Sequence, residues 1–207
     1  MRRAPPFRFY QITDRRIVGA ASLPDVLERL CGAGLRGLQV REKDLDDERF
    51  LALLQAILSK IPAGVAVLVN GRIDAAIERG LGVHRPESGP PTSEIRRRIG
   101  PDALIGVSCH DLAGCLKARE EGADFVTLGP VFESPGKGAS MGLNRFAAVA
   151  AEVDLPVFAL GGVTAERTAA CLAAGAYGVA AISATLGAVR PEDVFEAFHR
   201  VLGDAAA

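Results

Sequence analysis

Eight short apolar runs, each followed by a longer stretch with helical period, predict an α/β fold for this sequence. Eight strand–helix units in 207 residues fit a closed (β/α)8 barrel, the TIM barrel, better than an open doubly wound sheet. An open sheet would usually carry a Gly-rich dinucleotide motif after its first strand, and TDRRIVGAAS at 13–22 is not one. No linker interrupts the series, so we predict a single-domain (β/α)8 TIM barrel over residues 1–207.

The strands are apolar runs enriched in Val, Ile, Leu and Phe. In chain order we expect them at 7–13, 37–42, 66–70, 82–84, 104–108, 125–129, 156–161 and 178–183. The helices have apolar residues three and four positions apart, as Ile73, Ala76 and Ile77 illustrate. In chain order we expect them at 22–33, 46–60, 73–79, 93–99, 111–121, 143–152, 164–174 and 191–202.

Residues at the helix ends support these boundaries. Gly122 and Gly175 come just after predicted helices, where a left-handed residue commonly ends a helix. Polar side chains that can accept a hydrogen bond from the first turn precede several helices. These N-cap candidates are Ser22, Asp46, Thr92 or Ser93, Asp111 and Thr164.

Composition excludes several classes of function. Apolar residues make up 49% of the chain and charged residues 24%, with no apolar run long enough to span a bilayer. A net charge of −1 gives no basis for nucleic-acid binding. The four cysteines are widely spaced, which predicts neither disulfides nor a zinc site. The basic start has no apolar signal-peptide core, so we expect a cytoplasmic protein, whose apolar outer helix faces would permit a homodimer.

Function in a (β/α)8 barrel collects at the carboxyl ends of the strands. The second strand ends in Gln39, Arg41 and Lys43, which the two-residue period places on one side. If they point inward, an anion such as a phosphate or diphosphate must offset the two positive charges. The alternative is a surface network of ion pairs with the acidic residues at 42, 44, 46 and 47. The sequence leaves both interpretations open.

The last two strands predict a phosphate site. Gly161 and Gly162 follow the seventh strand, and AISAT at 181–185 ends the eighth. Glycines and a helix start expose main-chain N–H groups to an anion, and many barrels bind phosphate between these two loops. The sixth strand leads into a long loop at 129–143 that contains Lys137 and is either a lid or a solvated loop.

His110 follows the fifth strand, where it can act as a general acid or base near neutral pH. A structural histidine is the alternative. His84 is a second candidate at the barrel mouth, whereas Cys109 is expected to pack beside His110 and His199 falls in the last helix.

Motifs along nearly the whole chain resemble the superfamily shared by thiamine phosphate synthase and thiazole tautomerase. They are ITDR (12–15), LQVREK (38–43), VNGRIDAA (69–76), GVH (82–84), IGVSCHD (105–111), EEGADFVTLGPVFESPGK (120–137), PVFALGGV (156–163) and AAGAYGVAAISA (173–184). Members are phosphate-binding (β/α)8 barrels, which agrees with the predicted fold.

The resemblance implies roles for individual residues. It assigns a pyrimidine diphosphate site to Gln39, Arg41, Lys43, Asn70, Ser134 and Lys137. It assigns a thiazole phosphate site to Gly161, Gly162, Ile182 and Ser183. In the tautomerase, the histidine that matches His110 is the proposed proton shuttle.

The chain departs from the synthase pattern at the magnesium ligands. The synthase holds Mg²⁺ on two carboxylates, and the matching positions here are Gly71 and Gly89. Because a hard dication needs oxygen ligands, the sequence predicts no metal and no other cofactor. We therefore predict the tautomerase branch: an isomerase that aromatises a carboxythiazole phosphate by proton transfer, with His110 as the catalytic residue.

Two alternatives remain. A thiamine phosphate synthase would join a hydroxymethylpyrimidine diphosphate to a thiazole phosphate, with Mg²⁺ required and Glu87 as a displaced metal ligand. A barrel that binds thiazole or thiamine phosphates without turnover is the second alternative.

Overall fold

Eight parallel strands close into a barrel in sequence order in this computed structural model, which describes residues 4–18, 22–134 and 138–203. The strands are β1 Phe9–Ile12, β2 Gly37–Val40, β3 Ala66–Asn70, β4 Gly82–Arg85, β5 Ile105–Cys109, β6 Phe125–Leu128, β7 Val157–Leu160 and β8 Gly178–Ala181. The first strand pairs with the last, with Gln11 opposite Ala181. The predicted (β/α)8 barrel is confirmed.

Helices alternate with the strands as predicted. They are α1 Leu23–Gly32, α2 Asp47–Leu58, α3 Ile73–Glu78, α4 Thr92–Ile99, α5 Leu112–Glu120, α6 Gly142–Glu152, α7 Ala165–Ala173, α8 Ser183–Leu186 and α9 Pro191–Leu202. The expected eighth strand is too long, because the chain turns at Ile182 into the short helix α8. No helix in the described part of the chain is long and apolar enough to cross a membrane.

Side-chain caps begin three helices as predicted. Ser22, Asp46 and Asp111 each accept a hydrogen bond from a backbone N–H in the first turn. The prediction for α4 is wrong, since neither Thr92 nor Ser93 is its cap; the Thr92 N–H instead donates to the Glu121 carboxylate. Thr164 has the N-cap position of α7 without a side-chain hydrogen bond.

Apolar side chains pack on both faces of the sheet. The outer layer fills the space between strands and helices. The inner layer closes the amino end of the barrel with aromatic rings, among them Phe7, which stacks on Tyr10 at 5.1 Å between centroids. A Cβ at Gly37 would lie 2.4 Å from the Phe7 ring, so only glycine admits this ring. The other end of the barrel is left for polar residues.

Candidate active site

Five neighbouring strands contribute polar side chains to the barrel interior. Because side chains alternate along a strand, a residue two positions after an inward one also points inward. Leu68 and Phe125 belong to the inner core, which places Asn70 and Thr127 on the same face. The complete set, from β2 to β6, is Gln39, Asn70, His84, Ser108 and Thr127, and we call it the polar arc.

Hydrogen bonds link the polar arc to Tyr10. His84 Nδ1 lies 3.3 Å from the Tyr10 hydroxyl and Nε2 lies 3.0 Å from Ser108 Oγ. Burial lowers the pKa of His84 to about 3, and the positive charges of Arg41 and Arg85 contribute to the lowering. Burial also raises the pKa of Tyr10 well above 10. Both rings are therefore neutral at physiological pH.

Two polar atoms of the arc are buried without a partner among the described residues. Gln39 Oε1 accepts from Asn70 Nδ2 at 3.1 Å, but Gln39 Nε2 has no acceptor. Thr127 Oγ1 is also unpartnered, and each residue is 1% exposed. Buried polar groups normally have hydrogen-bond partners, so these atoms indicate a polar ligand above the polar arc, at the floor of the barrel mouth. Sequence reasoning missed Thr127; its hydroxyl within the apolar strand FVTL is the signal that could have found it.

Arg41 stands at the mouth, and no carboxylate of the described residues lies within ion-pair distance of it. The charge of Arg41 helps to lower the pKa of Asp14, but Asp14 pairs with Arg16 at 2.8 Å. Glu42 and Asp44 pair with Arg15 at 3.2 and 2.8 Å. Asp47 pairs with Arg72 at 2.8 Å. No hydrogen bond or ion pair of the described residues involves the half-buried Arg41 guanidinium, so the neighbouring acids leave its charge available to an anion. Lys43 is exposed in the following turn.

Gly161 and Gly162 let the loop after β7 lie against the loop after β6. Their φ angles are +97° and +62°, in the left-handed region. A Cβ at Gly161 would lie 2.6 Å from Pro130 Cα, and one at Gly162 would lie 2.5 Å from the Glu133 carbonyl oxygen. The backbone here is held close and carries no side chains, which suits the approach of a phosphate.

Ile182 and Ser183 lie at the start of α8. The parallel pairing of β7 with β8, in which Leu160 is opposite Ala180, places them beside these glycines. Gln11 fixes this turn, because its Nε2 donates to the carbonyl oxygens of Ala181 and Ile182 at 3.1 and 3.3 Å. Thr185 Oγ1 donates in turn to Gln11 Oε1. Gln11 was not predicted from the sequence, because no motif or spacing distinguishes it within β1.

His110 lies at the carboxyl end of β5 and is exposed. Its Nδ1 is 2.8 Å from Glu87 Oε2 in the loop after β4. Cys109 faces away into the outer core, where the neighbouring Cys115 and burial raise the pKa of its thiol. Ser134 is half-buried in the loop after β6, and Lys137 lies outside the described residues.

The residues present do not fit a magnesium ion bound as in the synthase pattern. Gly71 has φ +71°, and a Cβ at Gly89 would lie 2.7 Å from Arg85 Cγ. Glu87 contacts His110 instead of a second carboxylate. Among residues 4–18, 22–134 and 138–203, no three His, Cys, Asp or Glu side chains form a group that could hold a metal.

Comparison with known proteins identifies the relatives of this chain. A family profile described as thiamine monophosphate synthase matches residues 9–185. A thiamine-phosphate synthase of Roseiflexus castenholzii is 39% identical over 96% of this chain and 87% of its own. One of Roseiflexus sp. strain RS-1 is 38% identical over 95% and 85%. A Pyrococcus furiosus thiamine phosphate pyrophosphorylase structure, 24% identical, superposes with a TM-score of 0.85 over 96% of both chains and supports the fold.

These findings correct the predicted activity. The thiazole tautomerase prediction, with its isomerase class, is wrong, because relatives at 38 and 39% identity are named thiamine-phosphate synthases. Nothing in the comparisons points to the tautomerase branch. Gly71 and Gly89 at the positions of the metal ligands therefore do not indicate the tautomerase reaction.

Proposed function

This chain belongs to the thiamine monophosphate synthase family, and from that premise we propose that it is a transferase that makes thiamine phosphate. Its substrates are a hydroxymethylpyrimidine diphosphate and a thiazole phosphate. A bond forms between the thiazole nitrogen and the pyrimidine methylene carbon. The C–O bond to the diphosphate breaks, and the diphosphate leaves with the electron pair.

The main structural support for this proposal is the Arg41 guanidinium, which forms no ion pair with the described residues. The neighbouring carboxylates are paired with Arg15 and Arg72, so a diphosphate beside Arg41 gains a charge-assisted hydrogen bond without displacing an existing ion pair. Lys43, Ser134 and Lys137 extend this diphosphate site in the proposal.

The polar arc supports the binding of a pyrimidine. Gln39 Nε2 can donate to a ring nitrogen, and the hydroxyl groups of Ser108 and Thr127 can accept from an exocyclic amine. Asn70 holds Gln39 in place. The thiazole phosphate binds the main chain of Gly161, Gly162, Ile182 and Ser183, on the other side of β1 from Arg41. The two anions therefore bind at neighbouring parts of the barrel mouth, on either side of β1.

The test incubates the purified protein with both substrates and measures thiamine phosphate and released diphosphate. Replacement Arg41→Met should raise the KM for the pyrimidine diphosphate by about ten- to a hundred-fold, as expected for a lost charged hydrogen bond. Arg49→Met is the matched control, since that exposed arginine lies on α2 and should leave KM unchanged. Absence of thiamine phosphate with the wild-type protein would contradict the proposal. Cytoplasmic location and a homodimer stay predictions.

A further inference from the structure

We infer that Glu87 is a positioning residue for His110, so that the loop after β4 serves this histidine instead of a metal ion. The inference rests on the proposed function for the reaction that His110 assists. The contact that supports it joins Glu87 Oε2 and His110 Nδ1 at 2.8 Å.

The Glu87 carboxylate lies between the His110 ring and the first turn of α5. Oε2 contacts the His110 ring, and Oε1 lies where a Cβ at Gly114 would be only 3.1 Å away. Gly114 is in the first turn of α5, whose N-terminal end favours a negative charge. A Cβ at 114 would require the Glu87 side chain to shift by a few tenths of an ångström.

Arg85 shapes the loop that presents Glu87. Its guanidinium is buried, with Nη1 donating to the carbonyl oxygens of Glu87 and Gly89 at 2.9 and 3.3 Å. Nη2 lies 3.8 Å from the Glu121 carboxylate, which offsets the buried charge. The arginine thus occupies the inside of the loop where the synthase pattern expects a metal-binding carboxylate, and the remaining carboxylate, Glu87, turns to His110.

This geometry gives His110 a defined proton-transfer atom. A neutral histidine that donates Nδ1–H to Glu87 leaves Nε2 without a proton, because the hydrogen bond at one nitrogen sets the tautomer. When protonated, the ring can donate from Nε2 to an oxygen of the departing diphosphate as the C–O bond breaks, and it recovers a proton from water afterwards. Proton donation then offsets leaving-group charge that a metal would otherwise neutralise.

The first experiment measures the tautomer by NMR of ¹⁵N-histidine-labelled protein at about pH 8.5, above the ordinary histidine pKa. The His110 signals are assigned by their loss in His110→Asn. We expect a protonated Nδ1 in the wild type and in the control Glu94→Ala, which removes an exposed glutamate from α4. Glu87→Ala should shift protonation toward Nε2. An unchanged tautomer in Glu87→Ala, or His110 signals broadened by added Mn²⁺ in the wild type alone, would overturn the inference.

The second experiment measures kinetics. Glu87→Ala should lower kcat about ten-fold, with KM within two-fold, as expected when a half-exposed partner orients a catalytic histidine. In a His110→Asn background the same change should alter kcat less than two-fold, whereas a persisting ten-fold loss would contradict the inference. If the wild type makes no thiamine phosphate, the proposed function fails, and the tautomer result still decides the role of Glu87.

Discussion

His84 illustrates how the barrel interior fixes the protonation of a single residue. The ring lies between the Tyr10 and Ser108 hydroxyl groups, and burial keeps its pKa at about 3. The sequence placed His84 near the mouth as a candidate acid or base. The structure gives it another part, because a ring that stays neutral throughout the physiological range can hold its neighbours but cannot supply protons there.

The lowered pKa of His84 predicts a pH-dependent stability. His84 takes up a proton near pH 6.5 in the unfolded chain and near pH 3 in the folded chain. The contribution of neutral His84 to the free energy of unfolding is therefore complete above pH 6.5 and is lost as the pH falls toward 3. Between pH 7.5 and 5.0 the free energy of unfolding should fall by about 2 kcal/mol through His84. Urea unfolding of wild type and His84→Gln at both pH values measures it. An equal fall in both proteins would contradict the assignment.

Thr127 predicts a conflict between stability and binding. Its buried hydroxyl has no partner among the described residues, so Thr127→Val should raise the free energy of unfolding by about 1 kcal/mol. The same change should raise the KM for the pyrimidine diphosphate several-fold. Thr168→Val is the control: Thr168 Oγ1 donates to the Thr164 carbonyl oxygen at 2.9 Å, and its loss should cost about 1 kcal/mol. A destabilised Thr127→Val would show that the hydroxyl is already satisfied.

At the scale of elements, the loops after β6 and β7 behave as one unit. Phe132 N–H donates to the Gly161 carbonyl oxygen at 3.0 Å, and Val131 N–H donates to that of Leu160 at 2.8 Å. The proposed phosphate site therefore depends on contacts from a neighbouring loop as well as on its own glycines.

Gly162→Ala should disturb this pair of loops. The left-handed φ of +62° and the 2.5 Å approach to the Glu133 carbonyl oxygen predict a loss of about 2 kcal/mol in the free energy of unfolding. The KM for the thiazole phosphate should rise as well. Gly32→Ala, at the end of α1 with no atom within 4 Å, should instead be neutral or stabilise by about 0.5 kcal/mol. Chemical denaturation compares the two variants, and equal effects would contradict the explanation.

The spacing of apolar residues was sufficient to predict the order of the strands and helices, because each element carries its own apolar pattern. It was insufficient to predict contacts between loops. Arg15 lies 27 residues from Glu42, and Glu87 lies 23 residues from His110, and neither contact has a local signal. Gln39 was predicted through a motif, whereas Thr127 and Gln11 needed the closed barrel to reveal what surrounds them.

At the scale of the whole molecule, the polar arc covers the strands from β2 to β6, and the strands from β7 to β1 contribute apolar inner residues such as Ile12, Leu160 and Ile182. The floor is therefore divided between a polar and an apolar half. A heterocycle with one polar edge fits such a floor, and β1 lies between the two proposed anion sites.

Closure of the barrel joins the two ends of the chain, and this predicts cooperative unfolding. Phe9 in β1 contacts Phe195 and Phe198 in α9 at 5.3 and 4.8 Å between ring centroids. Phe198 is fully buried, so Phe198→Ala should cost about 3–5 kcal/mol. Because β1 pairs with both β2 and β8, losing this contact should weaken the whole barrel and not only α9.

Urea unfolding followed by far-UV and near-UV circular dichroism tests this expectation. The two signals should share one midpoint in the wild type and one lower midpoint in Phe198→Ala. Val201→Ala is the control, since that α9 side chain is 39% exposed and should change the midpoint little. Separate midpoints in the variant would mean that α9 detaches while the barrel stays closed, and the two chain ends would then stabilise each other only locally.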